Sequence, residues 1–190
     1  MQGEAILFYI QYIDDADMIS GLKSNYIKKF PNSDYTKLIE ANWSKKHQSL
    51  LSKPVFSLKN INGELVNVES FKGKIVYIDF WGSWCKACLL EMPSAKKLRE
   101  KFKDDQIVFL YLDFYDTKEL WLKAIKTNEI TGVNLKAELT DEKYFNDFFD
   151  IKNGFPRYAV LDKNGFLMTT SAPSPSDPKT IAYLEKLLNK

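Results

Sequence analysis

Residues 75–93 read Ile-Val-Tyr-Ile-Asp-Phe-Trp-Gly-Ser-Trp-Cys-Lys-Ala-Cys-Leu-Leu-Glu-Met-Pro. The first part, Ile75 to Phe80, is a near-continuous apolar run of the kind that a central strand buried on both faces shows. Gly82-Ser83 interrupts it, and the pattern then predicts a helix from about Cys85 to Phe102. The chain holds two cysteines, Cys85 and Cys88. Both stand where strand gives way to helix, with Trp81 and Trp84 close by.

Downstream, Ile107 to Leu112 predicts a second buried strand, Thr117 to Lys126 an amphipathic helix, and Thr140 to Phe149 another helix capped by Thr140. Arg157 to Leu161 predicts a third core strand. Asp162-Lys163-Asn164-Gly165 turns it into Phe166 to Thr170. Asp177-Pro178 opens a last helix with the proline at its first position. Strand–helix–strand units imply a parallel core covered on both faces, and the closing hairpin adds antiparallel strands. Upstream, Val55 to Leu58 and Leu65 to Val68 flank Asn62-Gly63, a hairpin signal. The fold class is α/β: a central mixed β-sheet flanked by helices, with an N-terminal β-hairpin.

Before residue 51 the character is different. Ile19, Leu22, Tyr26, Ile27 and Phe30 recur at helical spacing between Ala16 and Phe30. Ser33 is an N-cap for a second helix to about Lys46, with Tyr35, Leu38, Ile39, Asn42 and Trp43 along one face. The expected division is a helical extension over 1–50 and an α/β domain over 51–190. The start, MQGEAILFYIQYIDD, has no basic leader and no small-residue cleavage site, and Asp14-Asp15 end it, so it does not read as a signal peptide. Either the protein is intracellular, or a leader and an upstream segment precede these residues.

The 190 residues carry 27 basic and 25 acidic side chains, a net charge of +2. That balance gives no basic face for nucleic acid. No apolar run approaches the roughly 20 residues that span a bilayer.

Three chemistries fit a C-x-x-C pair. A structural zinc site needs four ligands, and the chain offers two cysteines and one histidine, His47, in the extension. A structural staple closing so small a loop removes little chain entropy. A redox dithiol fits best. A cysteine at a helix N-terminus faces unpaired N–H groups and the positive end of the dipole, which favour thiolate, the nucleophilic form. Lys86 adds a cation. Cys85 is therefore expected to be exposed and acidic, with Cys88 one turn in and beneath it.

Asp79-Phe80-Trp81-Gly82-Ser83-Trp84-Cys85-Lys86-Ala87-Cys88 resembles the active-site signature of the thioredoxin superfamily. Pro93 stands where that family carries a helix proline, and Gly154-Phe155-Pro156 resembles its cis-proline loop. The run Leu89 to Pro93, the hairpin Phe56 to Val68, Trp121 and the run Val160 to Gly165 resemble the TlpA/ResA-like branch of envelope thiol–disulfide oxidoreductases. The likeness covers about residues 52–190. The helices before residue 50 resemble the segment that links an upstream domain in larger TlpA-like proteins.

This resemblance implies a thioredoxin-like fold, an extracytoplasmic protein, no cofactor beyond the dithiol and no metal. Its implied partners are proteins bearing disulfides or thiols, and a membrane-linked electron donor. Cys85 is then the attacking cysteine and Cys88 the resolving one. Asp79 is the buried acid under Cys88, and Glu91 an acid near the pair. Pro156 in cis presents the Phe155 backbone to a substrate strand, and Trp84 flanks the cysteines. The dipeptide Lys86-Ala87 lacks the proline common in the branch, so the redox direction does not carry over. Each acid also has a plain reading: Asp79 as a polar strand end, Glu91 as a solvated helix residue. Phe145, Phe148 and Phe149 fit a packed helix face and need no cofactor, and Trp81 fits the core. Two other functions remain as alternatives: a binding module on the same fold, and a peroxidase of the peroxiredoxin type. The latter lacks its threonine, since Ser83-Trp84-Cys85 stands in that region.

Overall fold

A computed structural model describes residues 2–12, 16–50, 52–102, 106–151 and 154–189. Asp14 and Asp15, and the His47 side chain, lie outside the described residues. The chain divides into two compact units, Met1–Ser52 and Lys53–Lys190.

The first unit holds three helices, α1 (Gln2–Tyr12), α2 (Ala16–Lys29) and α3 (Asp34–Leu50), where the periodicity predicted two. The missed one, α1, has apolar residues all around it and so no polar face to reveal its period. Ser33 does start α3: its hydroxyl oxygen accepts the Thr36 N–H at 3.1 Å. Ile6 and Ile39 are buried together, with Leu7, Tyr26 and Trp43 packed on them. Leu38 and Tyr35, placed on the apolar face by spacing, are exposed. Tyr35 instead donates its hydroxyl to Glu4 at 3.0 Å.

The second unit is a mixed β-sheet with helices packed on it. Its strands are β1 (Ser57–Asn60), β2 (Leu65–Asn67), β3 (Ile75–Trp81), β4 (Ile107–Asp113), β5 (Val133–Lys136), β6 (Arg157–Leu161) and β7 (Leu167–Thr169). They form one sheet in the order β2-β1-β5-β4-β3-β6-β7. The run β3-β4-β5 is parallel, and the remaining pairs are antiparallel. The helices are α4 (Lys86–Lys101), α5 (Lys118–Thr127), α6 (Glu142–Phe149) and α7 (Lys179–Leu188). Gly63 takes φ +83° in the first hairpin, a conformation that favours glycine.

Three local expectations are corrected. The strand β5 was not predicted, because four residues alternating Val-Asn-Leu-Lys give too short a period to count. It supplies the edge on which β1 pairs. Thr140 does not cap α6. It lies within a 3-10 turn, Leu139–Asp141, closed by reciprocal bonds between Glu138 and Asp141. Pro178 is the N-cap of α7, one place before its first residue.

All seven residues of β3 are buried. Alternation puts Ile75, Tyr77, Asp79 and Trp81 on one face and Val76, Ile78 and Phe80 on the other. On the first face Tyr77 and Trp81 join a core with Cys88, Met92, Ala95 and Leu98 of α4. On the second, Phe80 meets Phe114, Phe145 and Phe149 at ring-centroid distances of 6.2, 6.4 and 5.2 Å. Phe145 and Phe149 thus fill a core, and Trp81 is fully buried.

Candidate active site

The end of β3 and the start of α4 bring the cysteines to the sheet's edge of loops. Cys85 is the N-cap of α4, and its sulfur accepts the Cys88 N–H at 3.1 Å. The two sulfurs are joined as a disulfide. In this oxidised state Cys85 is 6% exposed and Cys88 fully buried. The order of exposure is as expected, but Cys85 is far less open than its place at a helix terminus suggested. The covering comes from the buried core that takes in both sulfurs.

Trp84 is 52% exposed. Its indole Nε1–H donates to the Phe114 carbonyl at 2.9 Å. Its ring meets Phe155 edge-on at 5.4 Å and Tyr115 at 5.9 Å. The Phe155–Pro156 peptide is cis. Trp84 and the proline loop are therefore in contact beside the disulfide. Tyr115, unmarked in the sequence reading, belongs to this aromatic rim. It sits at φ +68°, and its hydroxyl donates to Glu142 at 2.8 Å.

Asp79 is buried, and its β-ladder neighbours are Tyr111 on β4 and Tyr158 on β6. Among the described residues neither carboxylate oxygen has a hydrogen-bond partner. Burial pushes its pKa well above the usual carboxylate range, and the charge of Glu91 adds to the rise. In turn, burial and then the Asp79 charge raise the Tyr111 and Tyr158 hydroxyls. The surface reading of Asp79 is thereby set aside. Glu91 lies on α4 one turn beyond Cys88 and is bound by Ser176, whose N–H and hydroxyl donate to it at 2.9 and 2.7 Å.

A second acidic pair was not singled out from the sequence. Asp116 accepts both the Ser83 N–H and the Ser83 hydroxyl at 2.6 Å. Asp113, at the end of β4, is buried, with Lys136 Nζ 3.8 Å from its Oδ2. Burial, aided by Asp116, pushes the Asp113 carboxyl up to about 9, against the pull of Lys136. The available signal was Asp113-Phe114-Tyr115-Asp116 directly after a buried strand, where loops carry function. Among the described residues no group of three or more His, Cys, Asp or Glu is placed to hold a metal ion.

A family model described as thioredoxin-like matches residues 73–167, half of the chain. The chain belongs to the thioredoxin-like family. Among its thioredoxin-like relatives, the thiol–disulfide oxidoreductase ResA of Bacillus anthracis is 36% identical over 135 residues, 70% of this chain and 75% of that protein. The thioredoxin-like protein YneN of Bacillus subtilis is 31% identical over 116 residues, 60% of this chain and 65% of that one. The thioredoxin domain of a thiol–disulfide oxidoreductase from Bacteroides vulgatus superposes with a TM-score of 0.66 at 26% identity. It covers 74% of this chain and 98% of that one. Within the thioredoxin-like family the chain falls with the thiol–disulfide oxidoreductases.

Proposed function

We propose that this chain exchanges disulfides with protein substrates through Cys85 and Cys88, acting mainly as a reductant of envelope proteins. The observation that carries this reading is the disulfide at the N-terminus of α4, beside the cis Phe155–Pro156 peptide.

The Cys85 thiolate attacks one sulfur of a substrate disulfide. A mixed disulfide forms, and the other substrate sulfur leaves as thiolate. Cys88 then gives its proton to Asp79 and attacks the Cys85 sulfur. The second substrate sulfur leaves, and Cys85–Cys88 is oxidised. Burial suits Asp79 to this step. A carboxylate with a raised pKa is a stronger base, and the neutral acid that it becomes is the form a buried site favours. Its oxygens are free of competing donors. Glu91 acts through its charge on Asp79. Trp84, Phe155 and Pro156 receive the substrate chain, with the residue-155 backbone offered for strand-like pairing.

The two electrons come back from a membrane-linked donor, and the site of action is extracytoplasmic. Protein disulfides persist in such oxidising compartments, so a reductant for them has substrates there. Among the described residues no helix is long and apolar enough to cross a membrane. Residues 1–50 are read as a helical extension.

The test mixes the reduced protein with a disulfide-bonded protein and counts free thiols. Cys85→Ser is expected to abolish exchange, and Cys88→Ser to accumulate a mixed disulfide at Cys85. Equilibration in thiol buffers gives the direction: a potential near or below about −250 mV marks a reductant, and one near about −120 to −180 mV an oxidant or isomerase. A protein with no reversible couple would refute the oxidoreductase reading and leave a binding module.

A further inference from the structure

The turn that delivers Cys85 is held from one side by a single carboxylate. Ser83 stands two residues before the nucleophile, inside the turn closed by the Cys85 N–H to the Gly82 carbonyl at 3.0 Å. Both polar groups that Ser83 can donate, its N–H and its hydroxyl, end on Asp116 at 2.6 Å. The neighbouring link runs the same way, from Trp84 Nε1 to the Phe114 carbonyl at 2.9 Å. A third, from the Phe114 N–H to the Trp81 carbonyl at 2.9 Å, ties the base of the same two loops. Residues 81–84 are thus laced to residues 114–116.

Asp116 is itself fixed. It precedes the α5 N-cap Thr117, whose hydroxyl accepts the Leu120 N–H at 3.3 Å. Asp113 abuts it at the end of β4, and Lys136 of β5 is the next residue in that row of the sheet. Short bonds from a buried carboxylate to both donors of one residue are stronger than neutral ones and set geometry as well as energy.

We propose that Asp116 is a positioning residue of the redox site: through Ser83 it holds the turn that keeps the Cys85 sulfur against the N-terminal N–H groups of α4. The inference takes Cys85 as the nucleophile and in that rests on the function proposed above. The physical consequence concerns the thiolate. Donors fixed in place stabilise an anion without reorganising, whereas donors on a loosened turn do so less. Release of the turn therefore lowers the thiolate fraction. The charge of Asp116 works in the opposite sense, because an anion near Cys85 disfavours a second one. Position and charge can thus be told apart.

The experiment measures alkylation of Cys85 at fixed neutral pH in the Cys88→Ser background, where one thiol reports. Unfolding midpoints are recorded for every variant. Asp116→Ala is expected to slow alkylation roughly three- to tenfold, and Ser83→Ala by a smaller factor, in proportion to the bonds removed. Asp116→Asn, which keeps partners for both Ser83 groups but no charge, is expected to retain the parent rate or exceed it. Equal acceleration in Asp116→Ala and Asp116→Asn with Ser83→Ala unchanged would mean that charge alone acts, and would overturn the proposal. Unchanged rates in all three would overturn it too, as would losses that follow the unfolding midpoints. If Asp116→Ala does not fold, Ser83→Ala against Asp116→Asn decides by the same criterion. This readout needs no substrate, so it stands apart from failure of disulfide exchange.

Discussion

Glu91 accepts two hydrogen bonds from Ser176, one from its N–H at 2.9 Å and one from its hydroxyl at 2.7 Å. The carboxylate is thereby held on the loop before α7 while its charge still reaches Asp79. Removing the charge and removing the tether should then differ. Glu91→Gln is expected to lower the Asp79 pKa, while Ser176→Ala keeps the charge and changes it less. Carboxyl carbon titration by NMR reads both. An Asp79 titration unmoved by Glu91→Gln would mean that the two carboxyls do not communicate.

The burial of Asp79 has a cost with a definite pH dependence. Its folded pKa lies above its unfolded one, so the folded state holds a proton that the unfolded state has lost. Stability therefore falls as pH rises past the unfolded value of about 4, and the penalty is full above the folded pKa. Asp79→Asn removes this proton linkage, so its stability relative to the parent should be higher at neutral pH than near pH 4. The same variant should slow resolution of the mixed disulfide about tenfold or more, since general-base catalysis is lost. Urea unfolding at the two pH values and single-turnover exchange check the pair of outcomes.

The parts of this molecule that follow from local pattern were legible in the sequence. Ile75 to Phe80 reads as a buried strand because β3 is covered on both faces. Cys85 reads as a helix start because its side chain caps α4. The resemblance carried Pro156, whose cis bond no local pattern announces. What stayed hidden depends on pairing across the sheet. Val133–Lys136 becomes a strand through partners on β4 and β1. Asp116 matters because Ser83, 33 residues earlier, turns both its donors to it. The near-burial of Cys85 likewise reflects the core and the disulfide that take in its sulfur, which helix-end position alone does not announce.

Gly82 leaves room that no other residue would. A Cβ built there comes within 2.3 Å of Trp84 Nε1 and 2.8 Å of the Phe114 carbonyl oxygen. The second atom is backbone, so it cannot swing aside. Gly82→Ala is expected to push Trp84 off its bond to Phe114 and to destabilise the domain by roughly 1–3 kcal/mol, the usual range for overpacking. Denaturant unfolding gives the stability, and indole N–H exchange reports the bond. A variant that is as stable as the parent, with Trp84 still protected, would contradict this geometry.

Asp113 gives a second pH signature, at the alkaline end. Burial first, and then Asp116, raises its carboxyl to about 9, above the unfolded value of about 4. The proton that it keeps makes its contribution to stability fall with rising pH through that window. The charges that act on it are Asp116 from its own loop and Lys136 beside it on β5. Lys118 and Glu138 line the adjoining cleft. Asp113→Asn removes the titrating group, so its stability curve between pH 6 and 10 should be flatter than that of the parent. Chemical denaturation across that range tests it, and parallel curves would assign the alkaline loss to other groups.

Trp81 and Trp84 stand three residues apart and should fail in different ways. Trp81 is fully buried in the core that holds the cysteines. Trp81→Ala is expected to cost about 3–5 kcal/mol of stability, as large-to-small core changes do. Trp84 presents half its surface to solvent next to Phe155 and Tyr115. An exposed aromatic rim beside a reactive pair contributes contact area to a bound chain and little to the fold. Trp84→Ala should therefore raise KM for a protein disulfide about three- to tenfold while leaving reduction of a small-molecule disulfide near the parent rate. Equal losses on both substrates would place Trp84 in the chemistry of the cysteines, because a small disulfide makes no use of a docking surface.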